Sequence, residues 1–156
     1  MLFDPSSLAA IGAAIALAGG LAGSSIGIGT AASAGAGTLS EDQGQFRNVI
    51  LLASLPMTQT FYALITLILI ITAVIPNIGV DSNAGGMVLG IGIIVGAAEL
   101  FSAWLQGVIC ASAISVLPKT KGKILTSGII LAVLVELLGL LGMVFAIMSL
   151  TMLGLM

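Results

Sequence analysis

Apolar residues fill four long stretches of this chain, and short polar segments separate them. The stretches cover approximately residues 8–37, 47–75, 85–116 and 124–154. Each approaches or exceeds the ~20 residues that an α-helix needs to cross the hydrocarbon core of a bilayer. The pattern therefore predicts an all-α membrane protein with four transmembrane helices.

The charges at the polar segments predict how the helices are oriented. The segments are residues 38–45, 76–83 and 118–123. All basic residues of the chain lie at the first and third segments: Arg47, Lys119, Lys121 and Lys123. Because basic loops are retained on the cytoplasmic side, we expect segments 38–45 and 118–123 in the cytoplasm and both termini outside.

The two halves of the chain resemble each other at a constant offset of 79 residues, as between Ser33 and Ser112. Further matching pairs are Ala53 and Ala132, Leu55 and Leu134, Ile68 and Ile147. A fixed offset of about half the length is typical of an internal duplication. We therefore expect two tandem helical hairpins, residues 1–79 and 80–156.

Composition excludes several classes of protein. With 59% hydrophobic and 6% charged residues and a mean hydropathy of +1.29, the chain does not resemble a soluble domain. Few aromatic residues and no basic patch argue against nucleic-acid binding. The chain has no His, and Cys110 stands alone in an apolar stretch, where packing is its expected role. The N-terminal MLFDPSS lacks the basic residues of a signal peptide.

Glu136 carries the only charge in the last apolar stretch, GIILAVLVELLGLLGMVFAIM. A carboxylate at mid-membrane costs roughly 2.5–3.5 kcal/mol on insertion scales. Such groups are found where they bind an ion or a proton or pair inside a helix bundle. The 79-residue offset places Met57 opposite Glu136, so only the second half carries this carboxylate.

A strip of small residues marks the first stretch and, less fully, the third. Small side chains recur every four residues at Gly19, Gly23, Gly27, Ala31 and Gly35, and again at Ala103, Gly107, Ala111 and Ser115. Such strips let membrane helices approach closely. We expect the first and third helices to pack tightly, either as the inner helices of a ring or within one chain.

Polar residues in three different stretches share one predicted depth. In LPMTQTFY, the residues Leu55, Thr58, Gln59 and Tyr62 lie on one helix face. Gln59, Gln106 and Glu136 each lie about 12–14 residues from the nearest predicted cytoplasmic segment, which is roughly 20 Å at ~1.5 Å per residue. Unrelated polar positions would have no reason to share a level.

Oxygen atoms at this level suit a small hard cation. Thr58, Gln59, Gln106 and Glu136 supply side-chain oxygens, and Tyr62 can hold the carboxylate. Because Pro56 lacks an N–H, the helix is expected to bend there and offer the Leu55 carbonyl as a further ligand. The alternatives are that the two Gln amides only bond helices together and that Thr58 bonds to its own helix.

The chain resembles the membrane rotor subunit of V-type and A-type rotary ATPases, the proteolipid called subunit K or c. The resemblance covers essentially the whole chain and rests on the duplicated hairpin, the glycine strip, LPMTQTFY, LFSAWLQG and VLVELLG. Its Leu-Pro-x-Thr-Gln pattern is closest to prokaryotic sodium-transporting members.

This resemblance implies a ring of identical copies in the cell membrane, each carrying one Na⁺, or alternatively H⁺, with no organic cofactor. The implied ligands are Glu136, Thr58, Gln59, Gln106 and the Leu55 carbonyl, with Tyr62 bonding the carboxylate. The implied partners are a stator membrane subunit with an essential arginine and a central stalk. ATP is then made or hydrolysed in other subunits, and this chain is not an enzyme.

Glu99 departs from the pattern, because a small residue is expected there. It lies seven residues before Gln106, about 10 Å further outward. Three roles are open for Glu99: a second site, an outer access element, and a group near the outer interface that snorkels or is protonated. We expect the third role. The rival functions for the chain are a secondary transporter, which should show an aromatic-lined cavity, and a structural four-span protein.

Overall fold

The computed structural model describes residues 4–79 and 83–156, and these residues are helical with short connections. Four helices are long and apolar enough to cross a membrane: Pro5–Glu41, Gln43–Asn77, Ala84–Ser115 and Leu125–Met152. We call them the first to fourth spans. They form two tandem helical hairpins, which confirms the predicted all-α fold class.

The spans differ from the predicted stretches mainly at their ends. The first span begins at Pro5 and continues to Glu41, beyond the predicted 8–37. It ends because Asp42 is extended, and the Asp42 carboxylate accepts a hydrogen bond from the Gly44 N–H at 2.9 Å. Residues 1–3 and 80–82 lie outside the described residues. The second group includes part of the predicted segment 76–83 and one side of the predicted hairpin boundary at 79/80.

The third connection is tighter than a simple polar loop. Within the predicted segment 118–123 the chain forms a short helix, Leu117–Thr120. It then turns through Lys121 and Gly122, whose φ angles are 50° and 79°. The glycine accepts this left-handed conformation at little cost, so the fourth span can begin at Leu125 and run back antiparallel to the third.

The second span is a helix composed of several segments. Its regular parts are Phe46–Ser54 and Thr58–Leu69. A 3₁₀ turn at Leu55–Met57 joins them, and a π-helical segment, Ile70–Val74, leads into a second 3₁₀ turn at Ile75–Asn77. Each 3₁₀ turn contains a proline, which cannot donate the hydrogen bond that a regular helix would require.

Backbone-to-backbone contact joins the first and third spans. A Cβ added to Gly23 would lie 2.5 Å from the Leu100 carbonyl oxygen, and one added to Gly107 would overlap the Cα of Gly27. On Gly19 it would overlap the backbone of Gly96. These contacts confirm that the two helices pack tightly, and they lie within one chain.

Two members of the predicted small-residue strips behave differently. Gly35 faces the second span, where an added Cβ would lie 2.5 Å from Val49 Cγ1. Ser115 is exposed, and its hydroxyl donates to the Ala111 carbonyl of its own helix at 2.8 Å. Gly35 and Ser115 therefore take no part in this close contact, although near them the Thr38 hydroxyl of the first span donates to the Ile114 carbonyl of the third at 2.9 Å. The inner-ring position of the two spans remains a prediction.

Two apolar clusters lie on either side of a polar layer. One joins the halves of the spans nearer the chain termini, through Ala9, Ala13, Ala16, Ile70, Val74, Val88, Ile91, Val95, Ala146 and Leu150. The other joins the opposite halves through Ala31, Val49, Leu52, Cys110, Ala113, Ile114, Leu117 and Ala132. Cys110 is a free thiol buried in the second cluster, as predicted for a packing residue. Between the clusters lie the buried side chains of Gln59, Glu99, Ser102 and Gln106.

Candidate cation site

The 3₁₀ turn around Pro56 sets the position of the first candidate ligands. The Leu52 carbonyl loses the partner that Pro56 cannot provide, but it accepts the N–H of Leu55 instead. The Leu55 carbonyl in turn accepts the N–H of Thr58. The predicted change in the helix at Pro56 is thus a tightened turn, and both of these carbonyls keep a backbone partner.

Three oxygen atoms of the second span lie close together beside this turn. The Thr58 hydroxyl is 3.1 Å from the Leu55 carbonyl oxygen and 3.1 Å from Gln59 Oε1. Thr58 therefore bonds to its own helix, as the simpler alternative predicted. It also joins the Leu55 carbonyl and the Gln59 amide into one group of acceptors that can face a cation.

Gln59 links the second span to the third. It is fully buried, and its Nε2 donates to Gln106 Oε1 at 2.9 Å and to Ser102 Oγ at 3.0 Å. Gln106 is also fully buried. The two amides therefore do bond neighbouring helices together, and they do so at the depth that the sequence predicted.

Glu136 completes the group from the fourth span. Its Oε1 accepts a hydrogen bond from the Tyr62 hydroxyl at 3.0 Å, and its Oε2 accepts one from Gln106 Nε2 at 3.2 Å. The Glu136 side chain is half-buried, whereas Gln59 and Gln106 are shielded completely. A carboxylate that is partly accessible and held by two donors can exchange a bound ion without leaving its place.

Ser102 belongs to this network, although the sequence did not single it out. Its hydroxyl accepts from Gln59 and donates to the Val135 carbonyl of the fourth span at 2.9 Å. The signal that could have found it is its spacing, since Ser102 lies four residues before Gln106 and so on the same helix face. The serine fixes the third and fourth spans beside the carboxylate.

The oxygens present fit a small monovalent cation as a transported substrate. The second span offers the oxygens of Leu55, Thr58 and Gln59. Gln59 connects them through Gln106 to the Glu136 carboxylate of the fourth span. Gln106 presents its amide nitrogen to Glu136 here, so its oxygen reaches a cation beside that carboxylate only after the amide rotates. The rotation would also end the Gln59–Gln106 bond, so ion binding and this hydrogen-bond network are coupled.

Glu99 is fully buried inside the chain, so its head group does not snorkel. The other form of the expectation, a protonated group near the outer interface, stays a prediction. The Glu99 carboxylate lies against the fourth span, because a Cβ added to Gly139 would be 2.7 Å from Glu99 Oε2 and 3.0 Å from Ser102 Oγ. Glycine at position 139 provides the space that Glu99 occupies.

Comparison with known proteins identifies the family. Residues 11–70 and 89–149 each match the family of ATP synthase C subunits. The chain is 40% identical over 144 residues to the A-type ATP synthase subunit K of Methanocaldococcus jannaschii, covering 89% of this chain and 62% of that relative. It thus spans less than two thirds of that relative's length.

A second relative is the V-type sodium ATPase subunit K of Enterococcus hirae. The identity is 32% over 126 residues, which cover 80% of this chain and 78% of the relative. The family matches fall in both halves of the chain and together take in most of its residues. The chain therefore belongs to the ATP synthase C-subunit family.

Proposed function

We propose that this chain is the non-catalytic, ion-carrying subunit of a rotor ring in an A-type or V-type rotary ATPase, and that each copy carries one Na⁺ at Glu136. The observation that carries the proposal is the hydrogen-bond network that joins the oxygens of Leu55, Thr58 and Gln59 through Gln106 to the half-buried carboxylate of Glu136. The name of the Enterococcus hirae relative, a sodium ATPase subunit, supports Na⁺ over H⁺.

The proposed mechanism follows from the cost of charge in lipid. Na⁺ entering from one side of the membrane neutralises Glu136, which lowers the cost of moving that copy through the hydrocarbon region. Tyr62 of the second span holds one carboxylate oxygen, and Gln106 of the third span donates to the other. At the stator, an arginine meets the vacated carboxylate, and the ion leaves on the other side.

Other features of the proposal concern assembly and location. Identical copies form a ring in a prokaryotic cell membrane, in contact with the stator membrane subunit and the central stalk. Segments 38–45 and 118–123 face the cytoplasm, because Arg47 lies directly after the first of them and the three lysines lie in the second. Other subunits make or hydrolyse ATP, and no organic cofactor is needed here.

The experiment that tests the carrier is carbodiimide labelling of the purified protein near neutral pH, mapped by mass spectrometry. Carbodiimides react with protonated carboxyl groups in apolar surroundings. We expect labelling at Glu136 that Na⁺ suppresses and that K⁺ at the same ionic strength does not. Glu136→Gln is the control that should remain unlabelled at this position.

The other outcomes discriminate between functions. Labelling of Glu136 that does not change when Na⁺ is added would indicate that the chain carries protons and not Na⁺. Native gel electrophoresis in mild detergent tests the ring itself, because a ring should migrate as one large, robust oligomer. A monomer or small oligomer would instead favour a secondary transporter or a structural four-span protein.

A further inference from the structure

Glu99 is a second carboxylate inside the membrane, and the site at Glu136 does not use it. Its side chain is fully buried. Among residues 4–79 and 83–156, its two carboxylate oxygens are the buried side-chain polar atoms that have no hydrogen-bond partner. Buried polar atoms are rarely left in this condition, so the carboxylate requires a bound partner that is not a protein group.

The space around Glu99 is formed by glycines on the fourth span. A Cβ added to Gly139 would lie 2.7 Å from Glu99 Oε2, and one added to Gly142 would lie 3.7 Å from Glu99 Oε1. Two glycines one turn apart therefore leave room for the whole carboxylate. The remaining neighbours at these positions are Ala98, Ser102 and the aliphatic part of Gln59.

The first repeat shows the reverse arrangement at the corresponding positions. With the offset of 79 residues, Glu99 corresponds to Gly20, Gly139 to Thr60 and Gly142 to Ala63. A Cβ added to Gly20 would lie 2.6 Å from Ala63 Cβ, so the larger side chains there come from the second span. In the first repeat the small residue lies on the first helix of the hairpin, and in the second repeat the small residues lie on the second helix, opposite Glu99. This exchange indicates that the packing of the second repeat accommodates Glu99.

No basic side chain can neutralise this carboxylate. The four basic residues of the sequence lie at the predicted cytoplasmic segments, and the titratable groups inside the spans around Glu99 are Tyr62, Cys110 and Glu136. An ionised Glu99 would be an unpaired charge in the hydrocarbon region beside another acidic group. The carboxylate must therefore hold either a proton or a metal cation.

Coordination chemistry favours the proton. Hard metal cations are held by several oxygens, but the neighbouring oxygen that the contacts at Gly139 place beside Glu99 is the hydroxyl of Ser102, which already donates to Val135. A proton needs only one carboxylate oxygen. We propose that Glu99 is a second, resident proton-binding site of each chain, distinct from the ion site at Glu136.

This proton is not exchanged during ion transport. Glu136 is half-buried, whereas Glu99 lies entirely inside the chain between the second, third and fourth spans. The bound proton keeps a second negative charge away from Glu136, and so keeps one mobile cation per copy. The inference holds whichever cation Glu136 carries.

Infrared spectroscopy of the assembled protein, prepared with isotope-labelled glutamate, tests this assignment. In Glu136→Gln, the remaining glutamates are Glu99 and Glu41, and Glu41 is the exposed last residue of the first span. We expect the carbonyl band of a protonated carboxyl at neutral pH, unchanged by added Na⁺ and absent from the double variant with Glu99→Gln. Absence of the band in Glu136→Gln, or its loss on adding Na⁺, would overturn the proposal.

A second comparison avoids dependence on the Glu136 variant. Glu99→Gln alone keeps the side-chain volume and a neutral group, so the protein should assemble and lack one protonated-carboxyl band that the unchanged protein has. Identical spectra would contradict the resident proton. Na⁺ should still suppress carbodiimide labelling of Glu136 in this variant, and failure of that result alone would count against the sodium carrier and not against the proton at Glu99.

Discussion

Thr58 shows how a single hydroxyl organises the site. Its Oγ1 lies 3.1 Å from both the Leu55 carbonyl oxygen and Gln59 Oε1. If Gln59 did not reach the third span, the Thr58 hydroxyl would form hydrogen bonds only within its own helix. The role of Thr58 therefore comes from its neighbours, and it can be tested by removing the hydroxyl without changing the shape of the side chain.

We predict that Thr58→Val weakens Na⁺ binding while leaving assembly intact. The variant loses one oxygen ligand, and the Na⁺ concentration that half-suppresses labelling of Glu136 should rise roughly tenfold or more, the scale seen when groups supporting a metal site are removed. Thr72→Val is the matched control. Its hydroxyl is exposed and bonds to the Ile68 carbonyl of the same span. Equal Na⁺ responses in both variants would exclude Thr58 as a ligand.

At the scale of the helix, the second span owes its shape to its prolines. Pro56 and Pro76 each lie in a 3₁₀ turn, at Leu55–Met57 and Ile75–Asn77. Only the first turn lies in the polar layer, and Pro56 is buried there against the first span, where a Cβ on Gly27 would be 2.7 Å from it. Pro76 is exposed near the end of its span. The two prolines therefore form a natural pair for comparison.

We expect Pro56→Ala to weaken Na⁺ binding through the backbone. Alanine restores an N–H that can bond the Leu52 carbonyl, so the tight turn can relax into regular helix and move the Leu55 carbonyl and Thr58 away from the ion. The measurement is the Na⁺ concentration that protects Glu136 from carbodiimide. Pro76→Ala should leave that concentration unchanged, and an equal effect of both substitutions would exclude the turn as the cause.

The glycine contact between the first and third spans gives a prediction about stability. Gly107→Ala should destabilise the chain by about 1–3 kcal/mol or more, because its Cβ would overlap the backbone of Gly27 and the helices must separate. Denaturant titration in detergent measures the loss. Gly90→Ala on the same span is the control, since nothing lies within 4 Å of its added Cβ. Similar stabilities for the two variants would show that the contact is unimportant.

At the scale of the whole molecule, the exposed apolar surface is distributed unevenly among the four spans. In the most apolar windows of the first and third spans, 39% and 44% of the residues are buried, but only 28% and 22% are buried in the second and fourth. The second and fourth spans thus expose large side chains such as Phe61, Leu138 and Leu141. Lipid and neighbouring copies are the surroundings in which such a surface is stable.

The orientation of the whole molecule in the membrane is a further prediction. In a background with Cys110→Ala, a membrane-impermeant maleimide added to right-side-out vesicles should label Met156→Cys and not Lys121→Cys. Vesicles of inverted orientation should give the opposite result. The physical reason is the retention of the basic residues around Lys121 in the cytoplasm. Labelling of Lys121→Cys from outside would reverse the proposed topology.

The sequence by itself determined the number of spans, the duplication and the depth of the polar residues. These depend on hydrophobic length and on the fixed rise of an α-helix, which are properties of each segment alone. The common level of Gln59, Gln106 and Glu136 could therefore be predicted, and the hydrogen bonds that join them agree with it.

Only the tertiary structure decided which atoms meet, because the rotation and separation of helices depend on packing between segments distant in sequence. Gly35 faces the second span although its spacing matched that of Gly27. Ser102 joined the site because the fourth span brings the Val135 carbonyl to it. Glu99 is fully buried and does not snorkel, because Gly139 leaves room for its carboxylate inside the chain.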